Sequence, residues 1–176
     1  MLDLDIKIDE KELQQIGFAN RLLEHQIKAA ARRAVTKTTR WVMAQAKRLL
    51  RSKTQMNLGA IRSRLGEFRK TEFSRKVWMG LNAVPANAFG KPTQTASGVR
   101  VGKRNFDGAF VIRKFNDGVY KRRTKDRFPL EKVTVNIEKE STDVFNQIKK
   151  EADARFIKVL MQEINFEVVK ANKAGR

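Results

Sequence analysis

Few of the 176 residues have side chains suited to covalent or metal chemistry. The one histidine, His25, stands between Glu24 and Gln26, and there is no cysteine. Transition metals need several convergent N, S or O ligands, so His25 reads as a surface residue. A serine nucleophile needs a histidine or lysine base beside it, and no serine here lies in a recognisable elbow. Gly98-Val99-Arg100-Val101-Gly102 has the glycines of a phosphate loop, but no helix pattern follows to supply the N-terminal amides. The carboxylates Asp107, Asp117, Glu131, Glu138 and Glu140 come closest to chemistry, because two metal ions held by such groups can cut a phosphodiester. Asp107 and Asp117 fit turn positions, however, and Glu138 and Glu140 lead into a helix whose dipole favours negative charge. The expectation is a protein without catalytic residues, metal or cofactor.

The cations carry more information. Lys and Arg number 38 against 19 Asp and Glu, a formal net charge of +19. Residues 31–80 hold 14 basic and 2 acidic side chains and residues 81–130 hold 11 and 3, whereas both ends are nearly balanced. A localised excess of this size points to an acidic partner. On a helical projection Arg33, Lys37, Arg40, Lys47 and Arg51 form one stripe, which reads either as a solvated face or as a surface for phosphates or an acidic neighbour. Farther on, Arg100, Lys103, Arg104, Lys121, Arg122 and Arg123 crowd a region interleaved with Phe106, Phe110, Phe115, Tyr120 and Phe128. Cations that neutralise phosphates and aromatics that stack on bases together suit sequence-independent binding of nucleic acid.

The elements that position these residues follow from apolar spacing. From Asp9 to about Arg51, residues such as Ile16, Leu23, Ile27, Ala30, Ala34, Thr38, Val42 and Leu49 share a face at helical period, predicting one long helix with a break near Gly17. Thr54 to Leu65 predicts a short helix with Arg62 and Arg64 exposed. Glu72–Leu81, Val99–Lys103, Gly108–Phe115, Val119–Arg123 and Lys132–Ile137 read as strands, with Asn116-Asp117-Gly118 a hairpin turn. Residues 82–98 have no period and read as a long loop that is mobile alone and ordered by a neighbour. A last helix runs from Ser141 to about Lys170, and residues 171–176 are expected to fray. The predicted class is α+β: a single domain over 1–176, with a long N-terminal helix and a C-terminal helix packed on a small antiparallel sheet of four to five strands. No apolar run is long enough to span a membrane, and the acidic start MLDLDIKIDEKE does not resemble a secretory leader. The lack of cysteine suits a cytosolic setting.

The central segment carries a resemblance. Val84-Pro85-Ala86-Asn87-Ala88-Phe89-Gly90-Lys91-Pro92, then Gly98-Val99-Arg100-Val101-Gly102-Lys103, Phe106-Asp107-Gly108-Ala109-Phe110, a basic hairpin and Phe128-Pro129-Leu130 resemble the minor tail protein Z family of tailed bacteriophages and prophages. Trp41 and Val42 late in the first helix and Met56, Ile61 and Arg62 in the second fit the same pattern, which covers roughly residues 15–165. The resemblance implies a tail-completion protein of a long-tailed phage, acting at the head-proximal end of the tail in head–tail joining. It also implies location in the virion tail, with the host cytoplasm as the site of assembly. The implied partners are other tail and head–tail connector proteins and further copies of the chain in a ring, a hexamer being one such ring. No membrane partner is implied. A neck ring surrounds a DNA channel, so the basic residues would meet either DNA phosphates or acidic neighbours. The alternative on the residues alone is a stand-alone, non-specific nucleic-acid-binding protein.

Overall fold

The computed structural model describes residues 1–20 and 22–174. It is mixed α and β and clusters as two compact units, Met1–Ala46 with Leu65–Met79 and Val144–Arg176, and Lys47–Arg64 with Gly80–Asp143.

The first unit begins with a strand, β1 (Leu2–Lys7), in which buried Leu4 and Ile6 alternate with exposed Asp3 and Asp5. Helix α1 (Glu10–Ala19) starts at Asp9, whose carboxylate accepts the Lys11 amide at 2.7 Å. The expected break near Gly17 falls instead after Ala19, and the long helix α2 begins only at Glu24 (Glu24–Thr54). Asn20 closes α1 by donating its side-chain amide to the Ile16 carbonyl at 2.8 Å. Gly17 is buried inside α1 because the side chain of Ile27 packs where a Cβ would stand, 3.2 Å away. Leu23, expected on the buried face, lies in the break and is 62% exposed. Strands β2 (Leu65–Thr71) and β3 (Ser74–Met79) form a hairpin, and β3 also pairs with β1, giving the order β1-β3-β2. The core of this unit joins Leu13 of α1, Ile27, Ala30, Ala31 and Ala34 of α2, Phe73 at the hairpin turn, and Val159, Leu160 and Ile164 of the terminal helix α4 (Glu138–Ala174). Small alanines on α2 let its backbone approach these larger side chains closely. Helix α4 continues past Lys170, and Gly175 and Arg176, at the end expected to fray, lie outside the described residues.

The second unit is built from very short pieces. After the end of α2, helix α3 (Leu58–Arg62) is capped by Asn57, whose side-chain oxygen accepts the Ala60 amide at 2.8 Å. Strand β4 (Val84–Pro85), a 3-10 turn over Ala86–Phe89 and β5 (Pro92–Gln94) occupy the stretch expected as a free loop. Val84, Ala86 and Phe89 are buried there, so the segment has its own means of packing. Strands β6 (Gly98–Val101), β7 (Arg104–Asp107), β8 (Ala109–Ile112), β9 (Gly118–Arg122), β10 (Leu130–Lys132) and β11 (Thr134–Val135) complete the chain before α4. Their orders are β5-β6-β7, β10-β9-β8 and β11-β4, all antiparallel.

The class is therefore α+β with a long N-terminal and a long C-terminal helix. Among the described residues, the single sheet of four to five strands is replaced by four small antiparallel sheets. Side chains link the small sheets where ladders do not. The Gln94 amide donates to the Gly98 carbonyl at 2.8 Å, and its oxygen accepts the Val111 amide at 3.1 Å, tying β5 and β6 to β8.

Candidate functional site: paired and unpaired cations

Helix α2 sets the spacing of the first basic group. Arg33 and Lys37 are four residues apart and lie on one face, opposite Glu163 and Glu167, also four apart, on α4. Arg33 donates from Nε to Glu163 Oε2 and from Nη2 to Glu167 Oε1, each at 2.5 Å, and Lys37 Nζ also meets Glu163. The guanidinium stands 5.4 Å from the Phe166 ring centroid. Glu163 and Glu167 are 5% and 3% exposed. Burial pushes the Glu163 carboxyl up, and the charged hydrogen bonds from Lys37 and Arg33 outweigh it, so the carboxyl lies below its ordinary value. The acidic partner of these two predicted cations is thus inside the chain. The sequence reading missed both glutamates, although matched four-residue spacings on two amphipathic helices are a usable signal for such a cluster.

The remaining residues of the stripe behave differently. Arg40 and Arg51 are exposed and Lys47 is half-buried, and none makes an ion pair among the described residues. Lys47 and Arg51 belong to the second unit, Arg33, Lys37 and Arg40 to the first.

The second unit contains 19 basic and 7 acidic residues. Arg100, Lys103, Lys121 and Arg123 are exposed and make no ion pair among the described residues. In the first unit Lys28, Arg32, Arg33, Lys37, Lys70, Arg75 and Lys76 pair with carboxylates of that same unit, while others there, such as Arg40, make no ion pair among the described residues. Arg104 has a structural role: half-buried, it lies 4.3 Å from the Phe89 ring centroid and donates to the Thr54 carbonyl at 3.4 Å. Arg64, expected to be exposed, is half-buried and donates to the Ala83 carbonyl at 3.0 Å.

The strand period of β9 separates its cations. Tyr120 and Arg122 share a face with Phe110, which pairs with Tyr120 across the ladder, and the Arg122 guanidinium lies 5.6 Å from the Phe110 centroid. Lys121 points to the other face, its strand neighbours being Ala109 and Glu131. Phe115 packs edge-on to Tyr120, with ring centroids 5.9 Å apart. These aromatics are engaged with each other and with a cation, so the surface presents charge more than stacking platforms.

Among the residues with types suited to chemistry, Asp107, expected in a turn, ends strand β7 opposite Gly98, and Glu131 lies in β10 opposite Lys121; the others have local structural settings. Gly98 begins β6 and Gly102, at φ +58°, makes the β6–β7 turn, so the glycine pair shapes a hairpin. Asp117 occupies a left-handed turn position beside Asn116, as the hairpin signal predicts. Glu138 and Glu140 lie in the first turn of α4, and the Asn136 side chain accepts the Glu138 amide at 2.8 Å. His25 is exposed near the start of α2. No group of three or more His, Asp or Glu among the described residues is placed to hold a metal ion. No family model, curated protein or solved structure matches the chain.

Proposed function

We propose that this chain is a structural tail-completion protein of a long-tailed phage or prophage, working without catalysis at the head-proximal end of the tail. The observation that carries the proposal is the coincidence of two features in one unit. The segments that resemble the minor tail protein Z family, 84–92, 98–103, 106–110 and 128–130, all fall in the second unit, whose 19 basic residues against 7 acidic ones include the exposed Arg100, Lys103, Lys121 and Arg123. A non-catalytic neck component needs shape and charge, and that unit has both. Its partners in this reading are neighbouring tail and connector subunits, further copies of itself and the phosphates of DNA in the channel. No helix of the described residues is long and apolar enough to cross a membrane.

The test is a phage or prophage from which this reading frame has been deleted. Heads and tail tubes should accumulate unjoined with few infectious particles, and supplying the protein in trans should restore them. Undiminished infectious yield from the deletion rejects the proposal.

A second reading, stand-alone non-specific nucleic-acid binding, is favoured by Arg122 over Phe110 beside the exposed Lys121 and Arg123. It requires DNA binding by the isolated protein and no defect in particle joining on deletion.

A further inference from the structure

The first unit has an open apolar groove of about 820 Å³ between α1 and α4. Ile16, Phe156, Leu160 and Ile164 line it, and Ile157 and Met161, 55% and 62% exposed, stand at its edge. Glu12 and Asp153 add negative charge to the lining, against one cation, Lys7. Residues 1–20 hold five acidic and two basic side chains, Asp3 and Asp5 among them pairing with Lys76 and Lys70, while residues 149–165 of α4 hold three acids and four bases, so the negative charge offered at the groove is that of Glu12 and Asp153. An apolar cleft with an acidic edge suits a ligand that is aromatic and cationic together.

The same chain displays such a segment. The connection from β9 to β10, residues 123–129, is exposed throughout and contains Arg123, Lys125, Arg127 and the 64% exposed Phe128, with Asp126 as its one acid. Arg127 lies 5.8 Å from the Phe128 ring centroid, and none of its cations makes an ion pair among the described residues. Like-to-like association through the second unit would bring two strongly basic surfaces together. Groove-to-loop association joins unlike surfaces and buries Phe128 and the groove edge at once.

We propose that the α1–α4 groove of one copy receives the 123–129 connection of a second copy, with Phe128 entering the apolar cleft and Arg123, Lys125 and Arg127 facing Glu12 and Asp153. The contact is heterologous, so each molecule uses both surfaces and the assembly grows head to tail, closing into a ring if the rotation allows. The proposal does not depend on the tail assignment. A chain that assembles this way but is dispensable for infectious particles keeps this proposal and loses the other.

The test uses the full chain in sedimentation velocity at low salt. Wild type should form oligomers that dissociate as salt is raised. The groove variant Ile157→Asp/Met161→Asp and the loop variant Arg127→Glu/Phe128→Ser should each be monomeric. Mixed, they should form a one-to-one dimer and nothing larger, because each retains one intact surface. The absence of native cysteine allows a second measurement that does not rely on charged groove variants. Met161→Cys and Phe128→Cys proteins should cross-link to each other under mild oxidation, and neither should cross-link to itself. A monomeric wild type, a mixture that stays monomeric, or failure of the cysteine pair to cross-link overturns the proposal. So does a groove that binds a small apolar probe while the chain remains monomeric.

Discussion

Arg33 on α2 and Glu163 on α4, 130 positions apart in sequence, share a 2.5 Å charged hydrogen bond. Lys37 and Glu167 complete the cluster, so one buried carboxylate serves two cations and one guanidinium serves two carboxylates. Such a network fixes the register of two long helices whose apolar faces alone would tolerate sliding.

Removing one member leaves its partners short of a charge in a half-buried place. Glu163→Gln should cost about 2 kcal/mol, the scale of a charge-assisted hydrogen bond, and lower the melting temperature by about 4–8 °C. Thermal unfolding followed by circular dichroism reads this directly. A loss no larger than that of an exposed control such as Glu151→Gln contradicts the ascribed role.

The same carboxylate sets a pH dependence. The folded form holds Glu163 below its ordinary value of 4.5, so its stabilisation is fully present above about that pH and is lost as pH falls through the lower, folded value. The stability difference between wild type and Glu163→Gln should be constant near neutrality and shrink below about pH 4.5. Denaturant titrations at several pH values show the trend. A difference that widened on acidification would reverse the sign of the argument.

The segment 82–98 should behave as structure in the isolated chain. The Ala86 amide donates to the Val133 carbonyl at 2.9 Å, and Phe89 is 6% exposed beneath Arg104. Hydrogen exchange should find the Ala86 amide protected without any partner protein, and Phe89→Ala should destabilise the chain by about 3–5 kcal/mol. Rapid exchange at Ala86 would return the segment to the status of a mobile loop.

Cations of the two classes should respond differently to DNA. If the second unit contacts phosphates, Arg122→Ala/Arg123→Ala should reduce the slope of log affinity against log salt by about 1.8, two phosphates at about 0.9 each. Arg33→Ala/Lys37→Ala should leave the slope unchanged, since those charges are already neutralised by Glu163 and Glu167. Fluorescence anisotropy with unrelated duplexes over a salt series separates the two, and equal slopes for both double variants would erase the distinction.

The sequence conveyed the long helices well because their periods extend over many turns: Ile27, Ala30, Ala34, Thr38 and Val42 are all buried as their spacing requires. It conveyed the sheets poorly, since a strand of two or three residues such as Val84–Pro85 or Thr134–Val135 contains too few positions to show alternation. Leu2–Lys7 alternates, but over only six residues, with Asp3 and Asp5 on its exposed face, its period is short beside that of the long helices. The basic stripe on α2 was legible as a stripe. Its division into paired and unpaired members depends on Glu163 and Glu167, whose proximity is a property of tertiary packing.

The order in which the two units draw on the chain also bears on synthesis. The second unit uses only residues 47–64 and 80–143, while the first needs both chain ends, with β1 pairing β3 and α4 completing the helical core. A ribosome releasing the chain from its N-terminus therefore makes every residue of the second unit before the first can close. The early-made β1, α1 and most of α2 must wait with Leu13, Ile27 and Ala30 uncovered until Val159, Leu160 and Ile164 emerge. That delay is the interval in which the nascent protein is most exposed to aggregation, and a truncation after Asp143, which keeps the first residues of α4, should be recovered as a folded second unit on an insoluble N-terminal segment.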